Sequence, residues 1–277
     1  MDRKVLSQRA IKLLLAAAAV VTIAPLLWLL LASLSTDSRV GLSPTGFLGG
    51  FHVTNYVHAF TDSQFGSFFV NSVLISAIGS VLLSATAACT AYALAKLRFR
   101  GKGLVFLLVM VGVVIPVYGY FLQLAEVVQS LHLYNTRTAD VLAEVAVNSP
   151  VPILVMFAFY QSIPGELTEA ARVDGAEEFT VFSRIVLPLA RPALVLCLVF
   201  GFVWIWSDLF IPEVLLVSPS KYTIPAGINF LIVSINQVPP YVILFAATVM
   251  STIPMMIVYK YLSRHSGDLI TGGALKG

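Results

Sequence analysis

Long apolar runs, separated by short polar stretches, make up most of this 277-residue chain. A helix needs about 20 mostly apolar residues to cross the roughly 30 Å hydrocarbon core of a bilayer. By that criterion the pattern predicts transmembrane helices over residues 11–34, 68–97, 104–124, 139–160, 193–216 and 241–262. The expected fold class is all-α, a single polytopic membrane domain over residues 1–277 with six transmembrane helices.

The amino-acid composition supports a membrane protein over a soluble or disordered one. Hydrophobic residues account for 58% of the chain and charged residues for 11%, and the mean hydropathy is +0.90. A soluble domain carries about 25% charged residues and has no core large enough for so much apolar surface. Disordered chains are rich in charge, so they are excluded as well. The net charge of +3 is too small to indicate nucleic acid as a partner.

Three of the predicted spans have distinctive residues. The second is rich in small residues, which permits close helix packing. Pro116 lies inside the third and predicts a kink there. The fourth is less regular because it contains Glu144, Asn148 and Pro150. Acids within a membrane are costly and mark functional sites, so Glu144 is a candidate for a transport path.

The distribution of basic residues predicts the orientation of the chain. Fourteen of the seventeen Lys and Arg residues lie in the N-terminal head, the loops after the second and fourth spans, and the C-terminal tail. The acidic residues divide evenly between the two sides, so the bias is specific to positive charge. By the positive-inside rule, both termini are expected in the cytoplasm, in a multi-pass protein of the cell membrane.

Sequence motifs for catalysis, metal binding and nucleotide binding do not occur in the chain. Cys89 and Cys197 lie within apolar runs, where we expect buried hydrophobic residues rather than a disulfide or metal ligands. The patterns HExxH and GxSxG are missing. The Gly101-Lys102 pair has Lys96 where a phosphate-binding loop needs its upstream glycine. We therefore expect no catalytic, cofactor-binding or metal-binding residues and no ATP hydrolysis by this chain.

One cytoplasmic loop, residues 164–188, is unusually charged. Between residues 165 and 184 it has five acidic and two basic residues, each of which would cost roughly 2.5–3.5 kcal/mol at the membrane centre. Apolar residues recur within it at helical spacing. Pro164 suits the start of one short helix, Gly175 a turn, and Pro188 the end of a second helix. The acidic excess disfavours an anionic membrane surface and favours a protein partner.

The residues of this loop resemble a known motif. Glu169-Ala170-Ala171, Gly175 and the IVLP sequence at residues 185–188 fill every defined position of the EAA loop in permease subunits of ABC importers. The sequences NSVLISAIGSVLLSATAACTAYALAKLRFRGK and LITGGALKG are similar to the carbohydrate-uptake branch of that family, which includes the shorter permease subunit of maltose importers. The resemblance covers most of the chain.

The resemblance implies a permease subunit of an ABC sugar importer in a bacterial or archaeal inner membrane. In that family, a six-helix permease subunit pairs with a second, non-identical permease subunit among the membrane lipids. A dimer of cytoplasmic ATPases, which binds ATP and Mg²⁺, drives the pair, and an extracytoplasmic sugar-binding protein delivers the substrate. By this resemblance the chain is a transport subunit rather than an enzyme and binds no cofactor itself.

The resemblance also implies roles within residues 164–188, here called the coupling loop. Glu169 is expected to meet a basic residue in a groove of the ATPase, two alanines allow close approach, and Gly175 forms the turn. Apolar residues after the turn are expected to fix the loop to the transmembrane helices, so that it moves spans four and five as a lever. The expected coupling residues are Glu169, Ala170, Ala171, Asp174, Gly175, Phe179, Phe182, Ile185, Leu187 and Pro188.

The C-terminal tail is a second expected contact with the ATPase. Its glycine content predicts that it is not helical, and a frayed terminus is the ordinary interpretation. In the maltose-type relatives, however, the corresponding tail reaches the interface of the ATPase dimer. The resemblance therefore implies a contact through Thr271, Gly272, Gly273 and Lys276.

Six polar or aromatic residues are candidates for the substrate path: Tyr118, Gln123, Glu144, Asn148, Trp206 and Asp208. Glu144 either accepts hydrogen bonds from sugar hydroxyls or is a solvated or paired acid near the outer water boundary. Trp206 either offers an aromatic face to a sugar ring or packs in the core. Asp208 matches the aspartate of a Trp-Asn-Asp site in the family. In this chain, Ser207 stands at the position of the asparagine.

Two other functions stay open at the level of the sequence. The same branch of the family includes permeases for glycerol-phosphate-like solutes, but a phosphorylated substrate needs basic groups, and on the outer side Arg137 alone lies near a span entrance. A secondary transporter needs inverted repeats and coupling-ion carboxylates near the membrane midplane. The chain has no clear repeat, and Glu144 alone approaches the second requirement.

Overall fold

The computed structural model describes residues 3–36, 50–61, 64–233 and 241–274. Within these ranges every regular element is a helix, which confirms the all-α prediction. The shorter turns are two 3-10 turns (Val117–Gly119 and Pro219–Lys221) and one π-helical turn (Phe182–Val186). The α-helices are α1 (Arg3–Ser33), α2 (Thr54–Thr61), α3 (Phe65–Lys96), α4 (Lys102–Val114), α5 (Phe121–Ser130), α6 (Arg137–Asn148), α7 (Pro150–Ser162), α8 (Gly165–Val173), α9 (Glu178–Val181), α10 (Leu187–Leu189), α11 (Arg191–Ser207), α12 (Phe210–Leu215), α13 (Ile224–Val233) and α14 (Tyr241–Ala274).

Three helices in the described ranges are long and apolar enough to cross a membrane alone: Ile11–Ser33 within α1, α3, and Tyr241–Tyr261 within α14. Two bent pairs are further candidates, since α6 meets α7 at 51° and Glu178–Leu189 meets α11 at 78°. α4 has 13 residues, which is short of a full crossing. The described chain thus holds up to five candidate spans by this criterion. The six-span topology stays a prediction.

Proline residues interrupt the third and fourth predicted spans. α4 ends at Val114, and Ile115 and Pro116 then take extended conformations. The residue before a proline is sterically excluded from helical geometry, which explains why the helix stops here rather than merely bending. In the fourth span, Pro150 occupies the first position of α7, where its missing amide donor would be unpaired in any case.

The C-terminal helix is longer than the sequence predicts. α14 continues to Ala274 and so includes Thr271, Gly272 and Gly273, whereas Lys276 lies outside the described residues. The prediction of a non-helical tail is wrong up to residue 274. Each glycine costs about 1 kcal/mol in a helix. Extending an existing helix is nevertheless much easier than nucleating one, and the preceding apolar turns supply the nucleus.

Backbone contacts divide the chain into two compact units, of which the first comprises Met1–Gly66 and Ile228–Ile253. In this unit, Asn55 Nδ2 donates to the carbonyls of Ser33 (2.9 Å) and Ser35 (2.8 Å). These bonds satisfy acceptors that the C-terminal end of α1 leaves unpaired.

Most of α1 presents apolar side chains outward in the first unit. Leu13 is 71% and Val21 74% exposed. Such a surface is stable in contact with lipid or another apolar surface, not with water.

The second unit comprises Ser67–Gly227 and Pro254–Gly277. Within it, α3 and α11 approach closely at Gly79, where an added Cβ would lie 2.7 Å from Ile205 Cδ1. This is the close packing that the small residues of the second span predict. The fully buried side chains at the centre of the main core are Ala87, Ala91, Met156, Tyr160, Val181, Val186 and Ala190.

Candidate functional site

The coupling loop forms two short helical segments joined by a tight turn. Gly175 lies just after α8 and has a φ of +85°. Its amide donates to Arg172 O (3.1 Å), and the amide of Ala176 donates to Ala171 O (2.9 Å). This pair of bonds is a Schellman motif, which needs a residue of positive φ and therefore favours glycine. The structure thus contains the predicted turn at Gly175.

One surface of the coupling loop combines an acid with exposed apolar groups. Glu169 on α8 is exposed. Val173 and Phe179, on either side of the turn, are 87% and 76% exposed. Large apolar side chains exposed on a charged loop are available to a protein partner.

The residues that anchor the loop differ in part from the prediction. Phe182 and Leu187 pack against the main core as expected, alongside the buried Val181 and Val186. Phe179 is exposed, so the prediction that it fixes the loop to the transmembrane helices is wrong. Phe179 lies at the start of α9, directly after the loop turn, whereas the fully buried side chains of this segment begin at Val181.

The remaining motif residues lie along both segments. Those with exposed side chains are Ala170 and Asp174, and those that are half-buried are Ala171 and Ile185. Pro188 does not end the second segment as predicted, because it lies within α10 and the chain bends at Ala190 before α11.

A polar network that the sequence did not predict connects the loop to α3. Arg172 on α8 binds both carboxylate oxygens of Glu178, with Nε–Oε1 at 2.7 Å and Nη2–Oε2 at 3.3 Å. Tyr92 on α3 donates its hydroxyl to Glu178 Oε2 at 2.7 Å. The hydrogen bonds from Arg172 lower the pKa of Glu178, and Glu178 raises the pKa of Arg172, so both are charged at neutral pH. Tyr92 and Glu178 are 86 residues apart, so no local pattern indicates their contact.

A second bond from α3 reaches the other end of the loop. Lys96 Nζ donates to Ile163 O at 2.8 Å, just before α8 begins. Lys96 follows Tyr92 by four residues, which places both side chains on one face of α3. A cleft of about 1040 Å³ lies between this end of α3 and α8, and its walls include Lys96, Glu169 and Arg172.

A cavity of about 460 Å³ lies among α4, α6, α7 and α11. Asn148 and Asp208, both predicted for the substrate path, line it together with Trp204 and Ser207. Its apolar walls are Gly112, Val113, Val117, Val147, Pro150, Val151 and Ile211. A mostly apolar wall with a few convergent polar groups is typical of a small-molecule site.

The other side chains predicted for the path lie elsewhere. Trp206 is buried between two phenylalanine rings, so it is a core residue, and Trp204 lines the cavity instead. Two positions on a helix that are two residues apart point to different sides, which the sequence motif alone does not resolve. Tyr118 is 67% exposed and packs on Phe210, and Gln123 is exposed on α5.

Two buried acids on α6 lie behind the cavity. Glu144 and Asp140 have no solvent exposure, and neither oxygen of Asp140 has a hydrogen-bond partner within the part of the chain that the structure describes. Glu144 Oε2 accepts a hydrogen bond of 2.8 Å from Asn148 Nδ2, and Oε1 has no hydrogen-bond partner among the described residues. Glu144 is therefore a buried acid that bonds to a residue of the cavity wall. Its four-residue spacing from both Asp140 and Asn148 is a helical pattern that could have identified Asp140 from the sequence.

Backbone groups bind Asp208 and the two cations of the second unit that the sequence predicts on the outer side. Asp208 accepts hydrogen bonds of 2.9 and 3.3 Å from the first two amides of α12. Arg137 donates to Ser220 O (3.3 Å) and Lys221 to Asn135 O (2.6 Å). Among the described residues, no Lys, Arg or His lines the cavity.

Comparison with known protein families identifies the chain. Residues 80–267 match the family described as binding-protein-dependent transport system inner membrane component. The chain belongs to this family. The matched segment contains the C-terminal half of α3, the coupling loop and the whole lining of the cavity. This permease component is therefore a multi-pass membrane protein and a transport subunit, not an enzyme.

Relatives of the permease component match over nearly its whole length. It is 29% identical over 257 residues to the diacetylchitobiose uptake system permease protein NgcG of Streptomyces coelicolor, a match that covers 93% of this chain and 85% of the relative. It is 31% identical over 263 residues to the arabinooligosaccharides transport system permease protein AraQ of Halalkalibacterium halodurans, covering 94% and 93%. It is 29% identical over 255 residues to the trehalose transport system permease protein SugB of Mycobacterium tuberculosis, covering 91% and 92%.

Solved structures share the fold of the permease component. A chain of a bacterial ABC transporter involved in the import of the acidic polysaccharide alginate superimposes with a TM-score of 0.82 at 23% identity, covering 96% of this chain and 98% of the other. A chain from the alginate transporter in complex with an alginate pentasaccharide-bound periplasmic protein gives a TM-score of 0.69 at 16% identity. At these identities the likeness establishes the fold and nothing about the substrate.

Proposed function

We propose that this permease component forms one half of the membrane path of an ABC importer for saccharides. Both termini lie in the cytoplasm, and the coupling loop docks on a cytoplasmic ATPase dimer that binds ATP and Mg²⁺. The chain itself binds no cofactor. A second, non-identical permease subunit completes the path, and an extracytoplasmic binding protein delivers the substrate.

The coupling loop is the observation that carries the proposal. It matches the EAA motif, and it exposes Glu169 together with the apolar Val173 one turn further along α8, and Phe179 after the turn. An exposed acid next to large apolar groups fits a partner groove that offers a basic residue and an apolar wall. The sharp turn at Gly175 holds the two sides of this surface in a fixed relation.

The cavity supports a saccharide as the substrate. Trp204 offers an aromatic face to a sugar ring, and Asn148, Ser207 and Asp208 offer hydrogen-bonding groups to hydroxyls. The substrates named for the three relatives are diacetylchitobiose, arabinooligosaccharides and trehalose. Both observations favour a sugar over an unrelated solute.

The charges around the cavity favour a substrate that carries no negative charge. Asp208 lines the cavity, and no Lys, Arg or His among the described residues lines it. In a low-dielectric site, an anionic substrate would face the Asp208 carboxyl group with no cation to offset it. Arg137 and Lys221 are held by backbone carbonyls instead of lining the cavity. This arrangement disfavours the glycerol-phosphate-like solutes that the sequence left open.

Glu169→Lys tests the proposed coupling. Because Glu169 is expected to meet a basic residue of the ATPase, reversing its charge should abolish copurification with the ATPase and the ATP turnover stimulated by the loaded binding protein. Membrane insertion should be unchanged, because Glu169 is exposed. Glu166→Lys, which reverses another exposed acid on α8, is the matched control and should retain both activities. Normal uptake by Glu169→Lys would contradict the proposal.

A secondary transporter predicts the opposite energetic dependence. In proteoliposomes that contain the full complex, uptake should need ATP on the cytoplasmic side and should not respond to an imposed proton or sodium gradient. Uptake that follows an ion gradient without ATP would contradict the assignment as an ABC importer and indicate a secondary transporter.

A further inference from the structure

We infer, on the basis of the proposed coupling to an ATPase, that α3 receives the movement of the coupling loop directly through Tyr92 and Lys96. The loop is continuous in sequence with α7 on one side and with α11 on the other. A displacement of α8 therefore passes to those helices along the backbone. α3 has no such covalent connection, so it depends on side-chain contacts to move with the loop.

The two contacts from α3 hold both ends of the docking segment. Lys96 Nζ donates to Ile163 O at 2.8 Å, immediately before α8, and Tyr92 Oη donates to Glu178 Oε2 at 2.7 Å, where α9 begins. Both donors lie on one face of α3, one turn apart. The segment between residues 163 and 178, which contains the turn and the proposed ATPase-binding surface, is thus attached to a single face of one membrane helix.

Glu178 connects the docking helix itself to this attachment. Its two carboxylate oxygens bind Nε and Nη2 of Arg172 on α8, and Oε2 also accepts the bond from Tyr92. A bidentate arginine–carboxylate pair fixes orientation as well as distance. A push on α8 therefore reaches Glu178 through Arg172 and reaches α3 through Tyr92.

The core holds Tyr92 in place, so it can transmit a displacement. Its side chain is 6% exposed. Its ring packs on Phe182 with centroids 5.0 Å apart and meets Tyr160 edge-on at 6.2 Å. A ring confined in this way has no alternative rotamer nearby, because protein cores are close-packed.

The cleft beside these contacts determines how a movement of α8 can reach α3. The cleft of about 1040 Å³ between them keeps their surfaces apart at Lys96, Glu169 and Arg172. Motion of α8 across this cleft is passed to α3 by the bonds that bridge it, whereas the second segment of the loop also packs on α3 in the main core. Loss of those bonds should therefore weaken the coupling of α3 to α8 without disturbing the core.

The double variant Tyr92→Phe/Lys96→Met tests this route in the reconstituted complex of both permease subunits, ATPase and binding protein. It removes the hydroxyl and ammonium donors and keeps the ring and the aliphatic stem. We expect uptake per ATP hydrolysed to fall about tenfold, as for lost hydrogen bonds to charged or polar partners. Copurification of the ATPase and its stimulated ATP turnover should stay within about twofold of the wild type. Replacing Lys96 by arginine instead of methionine keeps a charged donor and should restore most of the coupling that the double variant loses.

Two matched controls remove the same chemical groups without breaking the hydrogen bonds between α3 and the coupling loop. Tyr259→Phe changes an exposed tyrosine, and Lys102→Met removes an ammonium group that bonds Leu97 O instead of the loop. Both should leave uptake per ATP unchanged. An unchanged ratio in Tyr92→Phe/Lys96→Met would overturn the route through α3 and leave the Glu169 result standing. An equal fall in uptake and ATP turnover, including one caused by poor assembly, would also overturn it, because a merely structural role lowers both.

Discussion

At the residue scale, Gly175 determines how the coupling loop turns. Its φ is +85°, and a Cβ added there would meet nothing within 4 Å. The cost of a side chain at this position therefore lies in the backbone conformation and not in packing. Gly165, at the start of α8, also has open space around it, but its φ is not in the left-handed region.

Gly175→Ala should loosen the turn, and Gly165→Ala should not. An alanine at positive φ costs about 1 kcal/mol, which increases the open population of the loop about fivefold. The amides of Gly175 and Ala176, which bond to α8 carbonyls, should exchange with solvent faster by that factor. Hydrogen exchange measured by mass spectrometry on the purified permease pair checks this. Equal exchange rates in the two variants would show that the turn tolerates a side chain.

The candidate cavity shows how far single residues are predictable. Asn148 and Asp208 were both identifiable, because polar groups in apolar runs are rare and conspicuous. Trp204 and Trp206 were not distinguishable, because the packing of α11 against its neighbours decides which one faces the cavity. Asp140 follows the four-residue spacing of α6, yet its burial depends on packing that no local pattern contains.

At the element scale, the second segment of the coupling loop departs from a simple amphipathic helix. Helical periodicity predicts that Phe179 and Phe182 share a buried face. The structure packs the half-buried Phe182 against the core and exposes Phe179, and the fully buried side chains of this segment begin at Val181. Phe179 is thereby available to a partner together with Val173.

Phe179→Ser should weaken binding of the ATPase without destabilising the permease. Burial of a phenylalanine at an interface is worth about 1.5–3 kcal/mol, so affinity should fall about tenfold to a hundredfold. Phe182→Ser is the contrasting variant, since its ring packs on Tyr92 in the core, and it should lower the yield of folded protein instead. Titration of purified ATPase onto the permease pair in nanodiscs measures the affinity. Wild-type affinity in Phe179→Ser would exclude this face from the interface.

The helices themselves show what hydropathy predicts well and what it does not. The predicted second span, residues 68–97, corresponds closely to α3, because an uninterrupted apolar run with small residues has one stable form in lipid. The third and fourth spans are broken near Pro116 and Pro150. Average hydropathy does not predict these breaks, because it contains no information on backbone geometry. The contact between Tyr92 and Glu178 joins elements far apart in sequence, so it follows from the fold alone.

At the scale of the whole molecule, the orientation in the membrane connects the two candidate sites. The coupling loop must face the ATPase, and the substrate must reach the cavity from the opposite side. The positive-inside distribution predicts that residues 164–188 lie in the cytoplasm and the loop around Ser220 outside. In the structure, Ser220 and Glu177 both have exposed side chains, so both sites are accessible to a reagent.

Single cysteines at these two positions should therefore be labelled from opposite sides of the membrane. With Cys89 and Cys197 replaced by alanine, Ser220→Cys should react with a membrane-impermeant maleimide in right-side-out vesicles, and Glu177→Cys should react in inverted vesicles. The loop that contains Glu177 has five acidic residues, but acidic residues contribute little to membrane orientation. The Lys and Arg residues therefore determine on which side of the membrane this loop lies. Labelling of both cysteines from the same side would mean that the chain crosses the membrane an even number of times, or not at all, between residues 177 and 220. That result would contradict the assignment of residues 193–216 as a single span.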